Sequence, residues 1–348
     1  MRPIGIAIVG CGEIAESKYL VNLSSIDGTA CLGFLGGRSS VYREKWGAEN
    51  AAVYSSMTEL CADDRIDAVV ICTPNSTHAE YAVAALEAGK HVICEKPMAL
   101  TAADAERMVQ AAERNDRILT IGHQSRFSPA AQHLHELCAS GVLGTIYYVR
   151  SEMLRRRGVP TWGHFLEQER QGGGCLIDLG THAIDLALWM LGDFSPVWAM
   201  GSTYQGLADQ PTAANRWGEW DAAKFEVEDA AFGTVRMASG ATLEIAASFA
   251  LNIPEDRENV LTLCGTGGGA TLQGGKLMLN GVRDGAFFNE TFDLAADWET
   301  ACRAQVEEFI DCIRTGRQPL VTAREGLGVS RVLDGIYRSA AEKQPVML

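Results

Sequence analysis

An excess of positive charge is what this chain most plainly lacks. Thirty Lys and Arg face 44 Asp and Glu, a formal charge of −14, which argues against nucleic acid or an anionic membrane as the main partner. A small anionic ligand stays compatible, because one basic pocket suffices on an acidic protein. The ten cysteines (Cys11, Cys31, Cys61, Cys72, Cys94, Cys138, Cys175, Cys264, Cys302, Cys312) form no CxxC pair. Most sit in apolar runs, which suits reduced, buried thiols in a cytoplasmic protein and not a disulfide framework. Zinc spacing is missing, and no metal is expected. No apolar run approaches transmembrane length. The stretch Ile4–Val9, between Arg2 and Gly10-Cys11, superficially resembles a lipoprotein signal, but six residues including Gly5 are fewer than an h-region needs. Internal repeats and low-complexity tracts are also lacking.

What is present is a globular composition, 47% hydrophobic and 21% charged. At 348 residues the chain exceeds one ordinary core, so two domains are expected. The order of the elements puts the boundary at 1–123 and 124–348. In the first part, the β-branched run Ile4–Val9 enters Gly10-Cys11-Gly12-Glu13-Ile14-Ala15. That is G-x-G-x-x-A in the order strand, turn, helix, the context a dinucleotide fingerprint requires. Gly10 allows the tight turn, Gly12 lets backbone approach a pyrophosphate, Ala15 keeps helix and strand close, and the helix start supplies N–H donors. Strands at 30–36, 68–72, 90–94 and 118–122 alternate with helices at 39–48, 78–88 and Ala102–Arg114. This alternation predicts a doubly wound parallel sheet, a Rossmann domain.

One departure bears on the cofactor. The fingerprint expects an acidic residue after the second strand to hold the adenosine ribose hydroxyls. Between Gly28 and Arg43 there is none, and Gly37-Arg38-Ser39-Ser40 occupies the position. Arg38 beside Ser39 suits a 2′-phosphate, so NADP is favoured over NAD, with a solvated arginine opening a helix as the plainer alternative.

Glu95-Lys96-Pro97 closes the strand at 90–94, where proline stops the ladder and holds Lys96 at the sheet's carboxyl edge. Open α/β sheets bind their ligands at that edge. After Gly122, the helix 130–140 is followed by strand-like runs at 145–153, 197–204, 226–237, 241–251 and 260–264, with hairpin turns at Ser239-Gly240 and Gly274-Gly275. An α+β domain with a largely antiparallel, open-faced sheet is expected, and the helices Trp298–Thr315 and Ala323–Glu342 pack back on the body. Within it, Gly172-Gly173-Gly174 leads into a helix ending at Gly192, on which Asp178 and His182 are four apart and share a face. Gly180 inside that helix marks a close approach. A structural pair is the plain reading, and Asp185 extends the polar set only weakly. Arg155-Arg156-Arg157 and Trp162 lie between a strand end and the glycine run; Arg155 suits an acidic or phosphorylated group and Trp162 a sugar face, or both belong to a solvated basic loop. His164 is open in the same way.

Oxidising a secondary alcohol with a nicotinamide needs a proton acceptor near neutral pKa and a cation beside the carbonyl oxygen. Lys96, His182 and Asp178 make a complete set without a metal, with either Lys96 or His182 as acceptor.

These residues resemble the glucose–fructose oxidoreductase/inositol dehydrogenase (Gfo/Idh/MocA) family. The resemblance rests on the Gly10–Ala15 fingerprint, Thr73-Pro74-Asn75 with His78, the run from Ala88 to Glu95-Lys96-Pro97, and Gly172-Gly173-Gly174 leading to Asp178 and His182. It covers essentially the whole chain. It implies that Lys96, Asp178 and His182 surround nicotinamide and substrate, and that Pro74, Asn75, Glu95 and Arg126 help to seat the cofactor. It also implies homodimers or homotetramers built through the open sheet, and a sugar, inositol or related polyol as substrate. Two other readings stand beside it: a nicotinamide-binding sensor without turnover, and a glycoside-cleaving enzyme using transient oxidation.

Overall fold

The computed structural model describes residues 2–295 and 297–348. They form two compact units, Met1–Gln124 with Glu299–Leu327, and Ser125–Trp298 with Gly328–Leu348.

In the first unit the strands β1 (Ile4–Val9), β2 (Thr29–Leu35), β3 (Ala52–Tyr54), β4 (Ala68–Ile71), β5 (His91–Cys94) and β6 (Leu119–Ile121) form one parallel sheet in the order β3-β2-β1-β4-β5-β6. β1, β4 and β5 are almost wholly buried, which explains their unbroken apolar composition. The order reverses between β1 and β4, and the reversal opens a crevice at the carboxyl ends of these strands. The helix Ala102–Arg114 starts where the Thr101 side chain accepts the Asp104 N–H.

The segment Glu299–Leu327 belongs to this unit, although the element order placed it with the second domain. Val306, Phe309 and Ile310 join Ile6, Ile8, Val70 and Ile93 in one core, Gln305 donates to the Ile121 carbonyl and Thr120 to that of Val321. The apolar stripe of a helix shows that it packs, not against what.

The second unit holds β7 (Ile146–Leu154), β8 (Pro196–Tyr204), β9 (Ala230–Met237), β10 (Thr242–Ser248), β11 (Arg257–Gly265), β12 (Gly269–Gln273), β13 (Lys276–Arg283), β14 (Ala286–Asp293) and β15 (Val346–Met347). Their order is β14-β13-β12-β11-β7-β10-β9-β8-β15, antiparallel throughout except for the central β7/β10 pair. One face is covered closely by helix: a Cβ at Gly201 or at Gly233 would come within 2.6 Å of Ile336. On the other face Met200, Tyr204 and Phe232 are exposed.

The strand expected from 226 begins only at Ala230, because Glu228 and Asp229 turn their carboxylates inward to accept backbone N–H groups of Gly174, Leu176 and Leu207. The sequence also conceals β14, whose residues are largely exposed and show little alternation. One stretch does reach the length and hydropathy of a membrane span, against the sequence reading. It is Gln168–Leu191, with 83% of its apolar window buried inside the fold, so core packing accounts for the composition.

Candidate active site

Gly10 ends β1 in the left-handed region at φ +93°, and a Cβ there would come within 2.5 Å of the Cys72 backbone just past β4. Glycine is required at this position. A Cβ at Gly12, by contrast, would meet only an Arg38 terminal nitrogen, at 4.0 Å. The turn therefore leaves open space above Gly12, and the helix that starts at Glu13 and Ile14 presents its N-terminal N–H groups there. Ala15 is fully buried, as the fingerprint needs. These residues fit a dinucleotide pyrophosphate.

Arg38 lies exposed beside this cradle. Its Nε–H donates to the Cys11 carbonyl at 2.8 Å and its guanidinium sits over the Tyr42 ring, while the Tyr42 hydroxyl donates to the Gly12 carbonyl at 2.8 Å. Ser39 is different. It is buried, and its hydroxyl donates to the Gly36 carbonyl at 2.7 Å, so it shapes the turn rather than facing outward.

At the carboxyl ends of β4 and β5, His78 joins two turns. Its ring nitrogens lie 2.8 Å from the Pro97 carbonyl and 2.9 Å from that of Thr73. Burial pulls its pKa down, against the two carbonyls that favour the charged ring. The Thr77 hydroxyl, 2.7 Å from that of Thr73 and 2.9 Å from the Pro74 carbonyl, closes the turn that carries Asn75, itself largely buried.

The Glu95 carboxylate is engaged within the protein. It accepts from buried Lys18 Nζ at 2.7 Å, the Tyr19 hydroxyl at 2.8 Å and the Lys96 N–H at 3.2 Å. Lys18 Nζ donates also to the Gly122 carbonyl and to Gln124 Oε1, both at 3.3 Å. Burial alone would raise the Glu95 pKa; the Lys18 charge and the donated hydrogen bonds outweigh it and hold the carboxyl below its ordinary range. Sequence reasoning missed Lys18 and Tyr19. The signal was there: Ala15, Lys18 and Tyr19 are spaced as one inward helix face, and all three are buried.

In the second unit the glycine run leads into the π-helical turn Leu176–Gly180 and then the α-helix Thr181–Leu191. Buried Glu228 caps this start, accepting the Gly174 and Leu176 N–H groups at 2.8 and 2.9 Å and the Tyr337 hydroxyl at 2.8 Å. A Cβ at Gly173 would strike the Tyr337 hydroxyl, and one at Gly174 the Glu228 carbonyl, each at 2.1 Å. The close approach expected at Gly180 comes from its own helix: a Cβ there would meet Leu176 Cδ1 at 2.8 Å, while Ala247 of β10 would lie at an ordinary 3.5 Å. From Gly173 to Met190 every residue is buried except Asp178 and His182. Helix bulges of this kind recur at functional sites.

Asp185, by contrast, faces the core. It is fully buried and accepts from Arg126 Nε at 3.0 Å and from a terminal nitrogen at 2.6 Å. Arg126 has no exposed surface, which suits a clamp inside the fold better than a cofactor contact. Arg155 is similarly engaged: its Nε donates to Glu258 at 2.8 Å and its guanidinium lies 5.3 Å from the Trp217 ring centre. His164 sits between Glu167 (2.7 Å) and Arg170 (2.8 Å); a guanidinium only donates, so Nε2 accepts and the proton is on Nδ1. Trp162 remains exposed.

Comparison with known proteins agrees with this layout. The family described as "Oxidoreductase family, NAD-binding Rossmann fold" matches residues 4–123, and "Oxidoreductase family, C-terminal alpha/beta domain" matches 135–348. D-glucoside 3-dehydrogenase of Escherichia coli (strain K12) is 33% identical over 342 residues, 97% of this chain and 95% of that protein. D-xylose 1-dehydrogenase (NADP(+)) 2 of Haloferax volcanii is 29% identical over 87% of this chain and 86% of its own length. Among solved structures, aldose-aldose oxidoreductase from Caulobacter crescentus complexed with glycerol superimposes with a TM-score of 0.81 at 27% identity, covering 100% of both chains. The chain belongs to the Gfo/Idh/MocA family of NAD(P)-dependent oxidoreductases, which act on CH–OH groups.

Proposed function

We propose that this protein oxidises a secondary ring alcohol of a sugar or glycoside, or reduces the matching ketone, with Lys96, Asp178 and His182 as its reacting side chains. One observation carries the reading: between Gly173 and Met190 only Asp178 and His182 are more than marginally exposed, and they share one face. Likeness along nearly the whole chain to a D-glucoside 3-dehydrogenase supports a glucoside-type substrate.

The cradle of Gly10, Gly12, Glu13, Ile14 and Ala15 would hold the pyrophosphate, and Thr73, Pro74 and Asn75 would line the nicotinamide side. Arg38 favours NADP, as its terminal nitrogens lie beside the cradle and no carboxylate follows β2 to repel a 2′-phosphate. A nicotinamide held there would supply the hydride acceptor for the alcohol carbon. Lys96 steadies the negative charge that grows on the oxygen, because a fixed cation acts most strongly where charge develops. His182 accepts the hydroxyl proton, and Asp178 orients the ring or binds a neighbouring hydroxyl. Homodimers would form through the open sheet face, where Met200, Tyr204 and Phe232 stand exposed among Arg150 and Glu244.

The test is reduction of NADP and NAD by a panel of glucosides, free aldoses and inositols, for wild type and Lys96→Met. A glucoside-dependent rate that falls at least about a hundredfold in the variant, with cofactor affinity kept, is expected. An unchanged kcat would remove Lys96 from the chemistry.

A further inference from the structure

Trp162 and Trp217 lie on separate loops, 55 positions apart, yet their rings meet edge to face with centroids 4.8 Å apart, and Phe165 packs on Trp162 at 5.9 Å. Both indoles remain well exposed, 44% for Trp162 and 37% for Trp217. The loops that carry them are rigidly tied. Buried Asn215 accepts the Val159 N–H at 2.9 Å and donates to the carbonyls of Val159 (3.0 Å) and Gly218 (2.7 Å), and the Thr161 hydroxyl donates to the Trp217 carbonyl at 3.0 Å. Large aromatic faces fixed in place and left in water mark a surface built for contact.

The charges around the pair decide what it contacts. Arg155 and Arg216 both lie over the Trp217 ring, at 5.3 and 5.2 Å. Arg155 is bound to Glu258, and Arg216 to both Asp256 and Glu258, so the guanidiniums are matched by as many carboxylates. An anionic group would have to break these pairs. A neutral ring with an apolar C–H face would not, because it can lie on Trp162 and against the exposed part of Trp217 that the two guanidiniums leave uncovered.

The platform also stands at the end of the sheet against which the helix bearing Asp178 and His182 packs. Leu154 and Ser248, the last residues of parallel β7 and β10, are paired, and from there Arg155 and Gly158 donate to the carbonyls of Ser248 and Phe249. The turn before Asp178 is moored at the same place, with the Cys175 thiol donating to the Ala247 carbonyl at 3.3 Å. We infer that Trp162 and Trp217 form a stacking subsite for the second, uncharged sugar ring of a disaccharide whose first ring is oxidised. This inference rests on the function proposed above and goes beyond it by assigning a two-ring substrate to named residues.

The experiment compares cellobiose with methyl β-D-glucopyranoside, by calorimetric binding and by steady-state oxidation, for wild type, Trp162→Ala, Trp217→Ala and the two Trp→Phe variants. The expected result is a loss of about tenfold in cellobiose affinity and kcat/KM in the alanine variants, on the scale of one lost aromatic face. Methyl glucoside should change less than about twofold, and the phenylalanine variants should retain most of the cellobiose preference. Equal losses for both sugars would mean the indoles merely hold the loops, and unchanged cellobiose binding would mean they touch no sugar; either overturns the subsite. Wild-type oxidation of methyl glucoside with no tighter binding of cellobiose overturns the subsite alone. A wild type inert towards both sugars overturns the proposed function and the subsite together.

Discussion

Lys18 and Glu95, 77 positions apart, meet as a buried ion pair at 2.7 Å, with side chains only 1% and 9% exposed. The pair ties the helix of the nucleotide cradle to the residue that precedes Lys96, and Lys18 Nζ also grips the chain after β6. A feature read as a lone lysine at a strand end is thus the visible tip of a buried network. Replacing one partner leaves an uncompensated charge in the core, which typically costs about 3–5 kcal/mol. Lys18→Met should therefore lower the unfolding free energy by about that amount in urea titration. Adding Glu95→Gln to the variant should restore much of the loss. A single variant as stable as wild type would show that the pair is solvated in solution.

Acid should loosen the first unit in two stages. His78 has its folded pKa pushed below 6.5 by burial, so between that folded value and 6.5 the unfolded chain binds the extra proton. Its contribution is full above pH 6.5 and is lost as the pH falls below it. Glu95, with its folded pKa held below 4.5, acts in the same direction lower down: its stabilisation is present above 4.5 and disappears as the pH falls through the folded value. Stability measured by urea between pH 7 and 5 should fall with a slope of at most about 1.4 kcal/mol per pH unit from His78 alone. His78→Gln should flatten that slope while leaving the drop at lower pH. An identical slope in the variant would assign the titration to another group.

Much of this architecture was legible in the chain. The strands β1, β4 and β5 declare themselves because both of their faces are buried, so apolar residues run unbroken. The helices Ala102–Arg114, Trp298–Thr315 and Ala323–Glu342 have the limits that their periodicity and caps predict. Gly10 is required by its left-handed backbone and the contact a side chain would make with Cys72. What stayed hidden depends on contacts between distant residues. Nothing adjacent to Glu95 announces Lys18, and nothing near Asp185 announces Arg126, since ion pairs across 77 and 59 positions leave no local pattern. Arg155 looks like an anion receptor until Glu258, 103 residues later, is seen to hold it. Trp217 was missed for the same reason, because only the tertiary fold sets it against Trp162.

The proposed preference for NADP rests on Arg38. Its Nε–H is already used by the Cys11 carbonyl, which fixes the guanidinium beside Gly12 with terminal N–H donors still available for a phosphate. Charge-assisted hydrogen bonds of this kind contribute about 1.5–3 kcal/mol. Arg38→Ala should then weaken NADPH binding by roughly ten- to a hundredfold in a fluorescence titration, with NADH affected less than about twofold. The bond to Cys11 gives the experiment its second outcome. If Arg38 served only to brace the cradle, both nucleotides would weaken together, since they share the pyrophosphate that the cradle holds. An equal loss would therefore convert Arg38 from a reader of the 2′-phosphate into a support for the Gly10–Gly12 turn, and would make NAD the cofactor to use in screening substrates.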